Sequence, residues 1–235
     1  MIVTRNKFFK KIDAKKYTFL LPALLVLLNS CIGISADIQM RKDGSGKLTL
    51  EYSFSRMAEI IGRLDGNERW QILPAGRADL ERTVNRISGM KLASFSASEQ
   101  PSPAGNDKVI VNKAVLEFKN TEALLKFLDP AGKNASLSRE NGANKLYINL
   151  NEGIPTDINT DLMDLMRQVS AGYKVKISFS AEGNSSMQVT DGTGKAVTPP
   201  AGAEIVPQGK KVSLSIGSGE IPGCAGGLGV IFSWE

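Results

Sequence analysis

The sequence predicts an α+β fold, an antiparallel sheet built from hairpins with helices packed on one face. Three observations predict it. Short runs such as Leu48, Leu50, Tyr52 and Phe54 alternate with Lys47, Thr49, Glu51 and Ser53, the period of a strand with one dry face. Other runs place apolar residues three and four apart, the period of a helix with one dry stripe. The resulting order, ββααββαββαβ, combines one-sided strands with helices interspersed among them, a pattern that fits an antiparallel sheet covered on one side.

In chain order, Ile38 and Met40 lead into Asp43-Gly44-Ser45-Gly46, a turn, and the alternation from Leu48 to Phe54 completes a hairpin. Helical patterns follow through Met57, Ile60, Ile61 and Leu64, and through Leu80, Val84 and Ile87, the second stopped at Gly89. Between them a loop, Gly66 to Pro74, carries Trp70, one of two tryptophans. Strands around Leu92 to Ala97 and Val109 to Phe118 flank the polar loop from Ser98 to Asp107. Asn120 or Thr121 caps a short helix with Leu124, Leu125, Phe127 and Leu128, ended before Pro130. Leu146, Ile148 and Leu150 form a strand, and a helix through Leu162, Met163, Met166 and Val169 follows a cap at Asn159 or Thr160. Val175, Ile177 and Phe179, then Val212, Leu214 and Ile216, give two more one-sided strands. The glycine-rich segment 221–235 is expected to add a terminal strand or to touch lipid or a partner, with Trp234 and Trp70 as candidate contact residues.

The N-terminus carries an address. Arg5, Lys7, Lys10, Lys11, Lys15 and Lys16 precede an apolar stretch from Thr18 to Leu28, too short for a span of about 20 residues and suited to a signal h-region. Leu28-Asn29-Ser30-Cys31 closes it, and the whole resembles the signal of bacterial lipoproteins, although Asn29 stands where that family usually has a small residue. The resemblance implies a diacylglycerol thioether on Cys31, cleavage before it, and stable anchoring by two or more acyl chains. Ile32, not Asp, follows the cysteine, which by analogy directs the protein to the outer rather than the inner membrane. An ordinary secretory signal cut after Gly33-Ile34-Ser35 is one alternative, and anchoring by the uncleaved segment is the other. The expected organisation is a signal over residues 1–30, a short tether over 31–36, an α+β domain over 37–220 and the C-terminal segment.

The formal charge of +5 belongs to the signal: six of the 29 basic residues and one of the 24 acids lie in residues 1–30, leaving 23 of each. Electrostatic capture of nucleic acid has no support from such a balance. If Cys31 is lipidated, Cys224 has no disulfide partner and is expected to be a small buried residue. The chain has no histidine, which removes Ser-His-Asp and Cys-His nucleophilic sites and the commonest metal ligand. No cofactor or metal is predicted. Asp157, Asp161 and Asp164 cluster near a helix start, where acids ordinarily meet the positive end of the dipole. Two segments, Asp43-Gly44-Ser45-Gly46-Lys47 and Asp191-Gly192-Thr193-Gly194-Lys195, share a spelling. Neither has the spacing of a P-loop or a calcium loop, and both read as hairpin turns.

The mature chain resembles the LppM-type lipoprotein domain over about residues 35–216. It shares a glycine-rich hairpin at Asp43-Gly44-Ser45-Gly46 just after the cysteine, a helical insertion, strand pairs with short helices, and a late strand pair from Tyr173 to Phe179. That family's Phe-Pro-Gly strand end is Phe179-Ser180-Ala181 here. The resemblance implies a binding role rather than catalysis. The predicted function is a non-enzymatic, membrane-anchored envelope lipoprotein binding a hydrophobic ligand or a protein partner. A structural or assembly lipoprotein without ligand is the alternative, and a carboxylate-based envelope hydrolase is the third reading.

Overall fold

A computed structural model describes residues 32–55, 76–102, 108–153 and 172–235, together with residues 164, 168 and 170. The expected α+β fold is corrected: among the described residues the chain is mainly β, with eleven strands in two sheets and two short α-helices. The first sheet has seven strands in the order β3 (Met90–Pro101), β4 (Lys108–Phe118), β2 (Gly46–Ser55), β1 (Ile32–Met40), β7 (Lys174–Ala181), β10 (Lys211–Gly217) and β9 (Glu204–Gln208). The second has β5 (Ala135–Glu140), β6 (Ala143–Asn151), β11 (Leu228–Trp234) and β8 (Ser185–Thr190). Neighbours are antiparallel except β1 and β7, which run parallel, so the expectation of an antiparallel sheet fails at that pair.

The alternation read from the sequence becomes rows of core side chains. Leu92, Leu116, Leu48, Ile38, Phe179 and Val212 stand opposite one another in successive strands of the first sheet. The opposite face is polar, and ion pairs form directly across it: Lys47 faces Glu117 and Lys113 faces Glu51. In the second sheet Leu137, Leu146, Phe232 and Met187 make the corresponding row. One core joins the two sheets. Phe179 is the link, stacked on Phe232 at 5.2 Å and tilted against Trp234 at 4.9 Å between ring centroids.

The helices complete the cover. α1 (Arg77–Asn85) buries Leu80 and Val84, and α2 (Thr121–Leu128) buries Ala123 and Leu124. Of the two expected caps, Asn120 supplies the one for α2, accepting from the Ala123 N–H at 2.9 Å. Gly89 follows α1 with φ +84°, where a side chain would be strained. Thus much of the cover expected from helices is a second sheet. The apolar residues that carry the other two helical patterns, Met57, Ile60, Ile61 and Leu64 and then Leu162, Met163, Met166 and Val169, lie outside the described residues.

Candidate functional site

The first candidate feature is the start of β1. Cys31 itself lies outside the described residues, but backbone pairing begins at Ile32, opposite Phe54. The segment assigned to a tether, 31–36, is therefore strand from residue 32 onward. β1 is also a central strand, held by β2 on one side and β7 on the other. A lipid on Cys31 would be attached to the middle of the seven-stranded sheet with no spacer. β1 then runs nine residues to Met40, so the β1–β2 turn lies about 27 Å from the start of the strand at ~3.3 Å per residue.

At that far end lies a cleft of about 610 Å³. Arg41 and Lys42 of the β1–β2 turn, Arg139 of β5 and Asn144 of β6 line it. So do Glu182 of the β7–β8 connection and, beyond β11, Glu235. Trp234 contributes to the lining but is only 7% exposed, because its ring packs on Phe179. The structure thus makes this candidate contact residue chiefly part of the core. Trp70, the other candidate, lies outside the described residues, as do Asp157 and Asp161. Asp164 is exposed.

The two like-spelled turns have the same geometry in different register. In the first, the Gly44 N–H donates to the Arg41 carbonyl and the Arg41 N–H to the Ser45 carbonyl. In the second, the Gly194 N–H donates to the Asp191 carbonyl and the Asp191 N–H to the Lys195 carbonyl. Gly44 and Gly194 take the left-handed position, with φ +79° and +86°, as a three-residue hairpin loop with a bulge requires. The structural equivalent of Asp191 is therefore Arg41, and the shared spelling is offset by two residues. Each aspartate is occupied locally. Asp43 Oδ1 accepts from the Ser45 hydroxyl at 2.6 Å and its N–H at 2.9 Å. Asp191 Oδ1 accepts from the Thr193 hydroxyl at 2.7 Å and from the N–H groups of Thr193 and Lys195. These bonds, the serine and threonine hydroxyls foremost, hold both carboxyls below the ordinary aspartate range. Both turns serve the backbone.

The glycine-rich segment is explained by close approach. A Cβ on Gly227 would lie 2.6 Å from Gly192 Cα, and one on Gly153 would lie 2.8 Å from the Ala225 carbonyl. The Gly192 N–H donates to the Gly226 carbonyl at 2.9 Å. Three loops meet there backbone to backbone. Cys224 is half-buried and donates to the Glu220 carbonyl at 3.6 Å. Burial, with the Glu220 charge second, raises its thiol pKa, the opposite of nucleophile activation. Among the described residues no group of His, Cys, Asp and Glu has the arrangement of a metal site.

No family model matches the chain, and no curated protein matches it. Among solved structures the chain is similar to the folded domain of LppM from Mycobacterium tuberculosis, at 12% identity and TM-score 0.40, over 86% of this chain and 88% of that one. It is also similar to a putative protease from Parabacteroides distasonis, at 11% identity and TM-score 0.34, over 87% of this chain and 40% of that one. Yeast LTA4 hydrolase is a third, at 7% identity and TM-score 0.30, over 97% of this chain and 31% of that one.

Proposed function

We propose that this chain is a non-enzymatic lipoprotein of the bacterial envelope, lipidated on Cys31, whose double-sheet body binds a partner from the aqueous side of its membrane. The observation that carries the reading is the junction at Cys31. A basic segment, an apolar h-region and Leu28-Asn29-Ser30-Cys31 end one residue before paired strand begins at Ile32. A lipobox-like signal that abuts a folded domain supports attachment at Cys31, with the start of β1 toward the bilayer. Ile32 after the cysteine favours the outer membrane.

The charged lining of the far-end cleft supports a polar partner over a hydrophobic ligand, since an acyl chain seated there would desolvate ionic groups without pairing them. The test is acyl labelling in the native host. The wild type should incorporate labelled palmitate and partition into the detergent phase, and Cys31→Ala should do neither. A Cys31→Ala protein that still carries label would show that the anchor is elsewhere.

A further inference from the structure

The far-end cleft sorts its charges by the topology of the two sheets. In the first sheet the β1–β2 turn, with Arg41 and Lys42, lies beside the end of β7, where Glu182 begins the connection to β8. In the second sheet Arg139 on β5 and Glu235 after β11 are separated by β6. β7 and β8 are joined by that short connection, and β8 pairs with β11. Both carboxylates therefore stand on the β7–β8–β11 side, and the three cations on the β1–β2 and β5 side. Asn144, at the start of β6, lies between them, and Ala181 and Trp234 also line the cleft.

None of Arg41, Lys42, Arg139, Glu182 or Glu235 has an ion pair among the described residues, whereas Lys145, near Arg139, is paired with Glu140 at 2.6 Å. The backbone shape of the cleft is also fixed. A Cβ on Gly183 would lie 2.7 Å from the Glu235 carbonyl, and the Lys210 ammonium donates to the Glu182 carbonyl at 2.8 Å. The five charged side chains are thus left facing a cleft of about 610 Å³, within the ~300–1,000 Å³ of small-ligand sites.

We propose that this cleft binds a short peptide with both ends free, its carboxylate held by Arg41, Lys42 and Arg139 and its ammonium by Glu182 and Glu235. The Arg guanidinium suits a carboxylate because its fork can donate two parallel bonds. The Asn144 amide offers a donor and an acceptor to the peptide backbone between the ends, and Ala181 and Trp234 supply the apolar part of the lining. The assignment deepens the reading of the chain as a binding lipoprotein and rests on it for which side the cleft faces. Because the cleft is about 27 Å from the start of β1, the peptide would come from solution and not from the lipid headgroups.

The test titrates the full-length lipoprotein in detergent micelles with tetra-alanine, its N-acetyl form and its C-terminal amide, by isothermal calorimetry. Uncapped peptide is expected to bind, and each cap to weaken binding about fivefold, the upper range for exposed ion pairs. Arg139→Gln should reduce the penalty of amidation while leaving that of acetylation at the wild-type value, and Glu182→Gln should do the reverse, because Arg41 with Lys42 and Glu235 remain at the two ends. Both variants should keep the wild-type melting midpoint, since these side chains are exposed. No binding at millimolar peptide, caps without effect, or one variant erasing both sensitivities overturns the proposal. The titration does not depend on acylation, so a negative result overturns the cleft alone, and absent acyl labelling overturns the anchor alone.

Discussion

Asp129, just beyond α2, accepts from the Ala135 N–H at 2.9 Å and from that of Asn134, stitching the helix exit to the start of β5. Burial opposes its charge, but these bonds, with the N–H groups of Gly132 and Lys133, outweigh it and hold its carboxyl below the ordinary 3.8. A folded-state value below the unfolded one adds stability that is present above about pH 4 and lost as pH falls through the folded value. Asp129→Ala should therefore cost about 1–3 kcal/mol at neutral pH, and its denaturant midpoint should fall less on acidification than the wild type's. Equal acid sensitivity in the two proteins would remove Asp129 from the account. Tyr52 acts in the other direction: burial pushes its hydroxyl up to about 12, against the bond to Asn112, with the charge of Asp79 adding to the rise. Its contribution is complete below the ordinary value near 10 and lost as pH climbs toward 12. Ultraviolet titration should show a late phenolate transition that Tyr52→Phe abolishes. The alternation around Tyr52 was legible in the sequence, because a strand with one wet face spells its own period. Asp129 was not, since its partners are backbone N–H groups that no side-chain pattern records.

Most of the strands that sequence reasoning found have one buried face, the edge strand β3 being an exception. β2, β6, β7 and β10 show their alternation plainly. β5 and β9 do not, since each is an edge strand with almost every side chain exposed, and Pro207 interrupts β9. That proline and the brevity of β9 also discourage pairing with another chain at this edge, although Ile205 and Val206 are exposed. The strand β1 extends back through Ile32 to Ala36, which the sequence reading assigns to a tether, because the pairing that orders this stretch comes from β2 and β7. The far-end cleft was invisible for a related reason: its residues come from β1–β2, β5, β6, β7–β8 and β11, and only pairing order brings them together. The cap on α2 was legible to within one residue. Asn120→Ala should lower stability by about 1 kcal/mol, while Thr121→Ala should have little effect, as measured by thermal unfolding. The reverse ranking would move the cap to Thr121.

At the scale of the molecule, the second sheet is tied to the first through shared core and not through shared strands. Its central strand β11 comes from the end of the chain and is flanked by β6 and β8, so the second sheet is completed last in sequence. Phe179 on β7 meets Phe232 and Trp234 on β11, which makes one fully buried ring the contact between a central strand of each sheet. Phe179→Ala removes those ring contacts and leaves a cavity between the sheets, at a cost of about 3–5 kcal/mol. If the two sheets form one cooperative unit, the variant should unfold at lower denaturant by far-UV circular dichroism and by Trp234 fluorescence together, read in a Trp70→Phe background. Coincident transitions are the mark of a single unit. Fluorescence that changes well before the dichroism would show instead that the second sheet separates first, and because Trp234 also lines the far-end cleft, it would do so by dismantling that site while the seven-stranded sheet still stood.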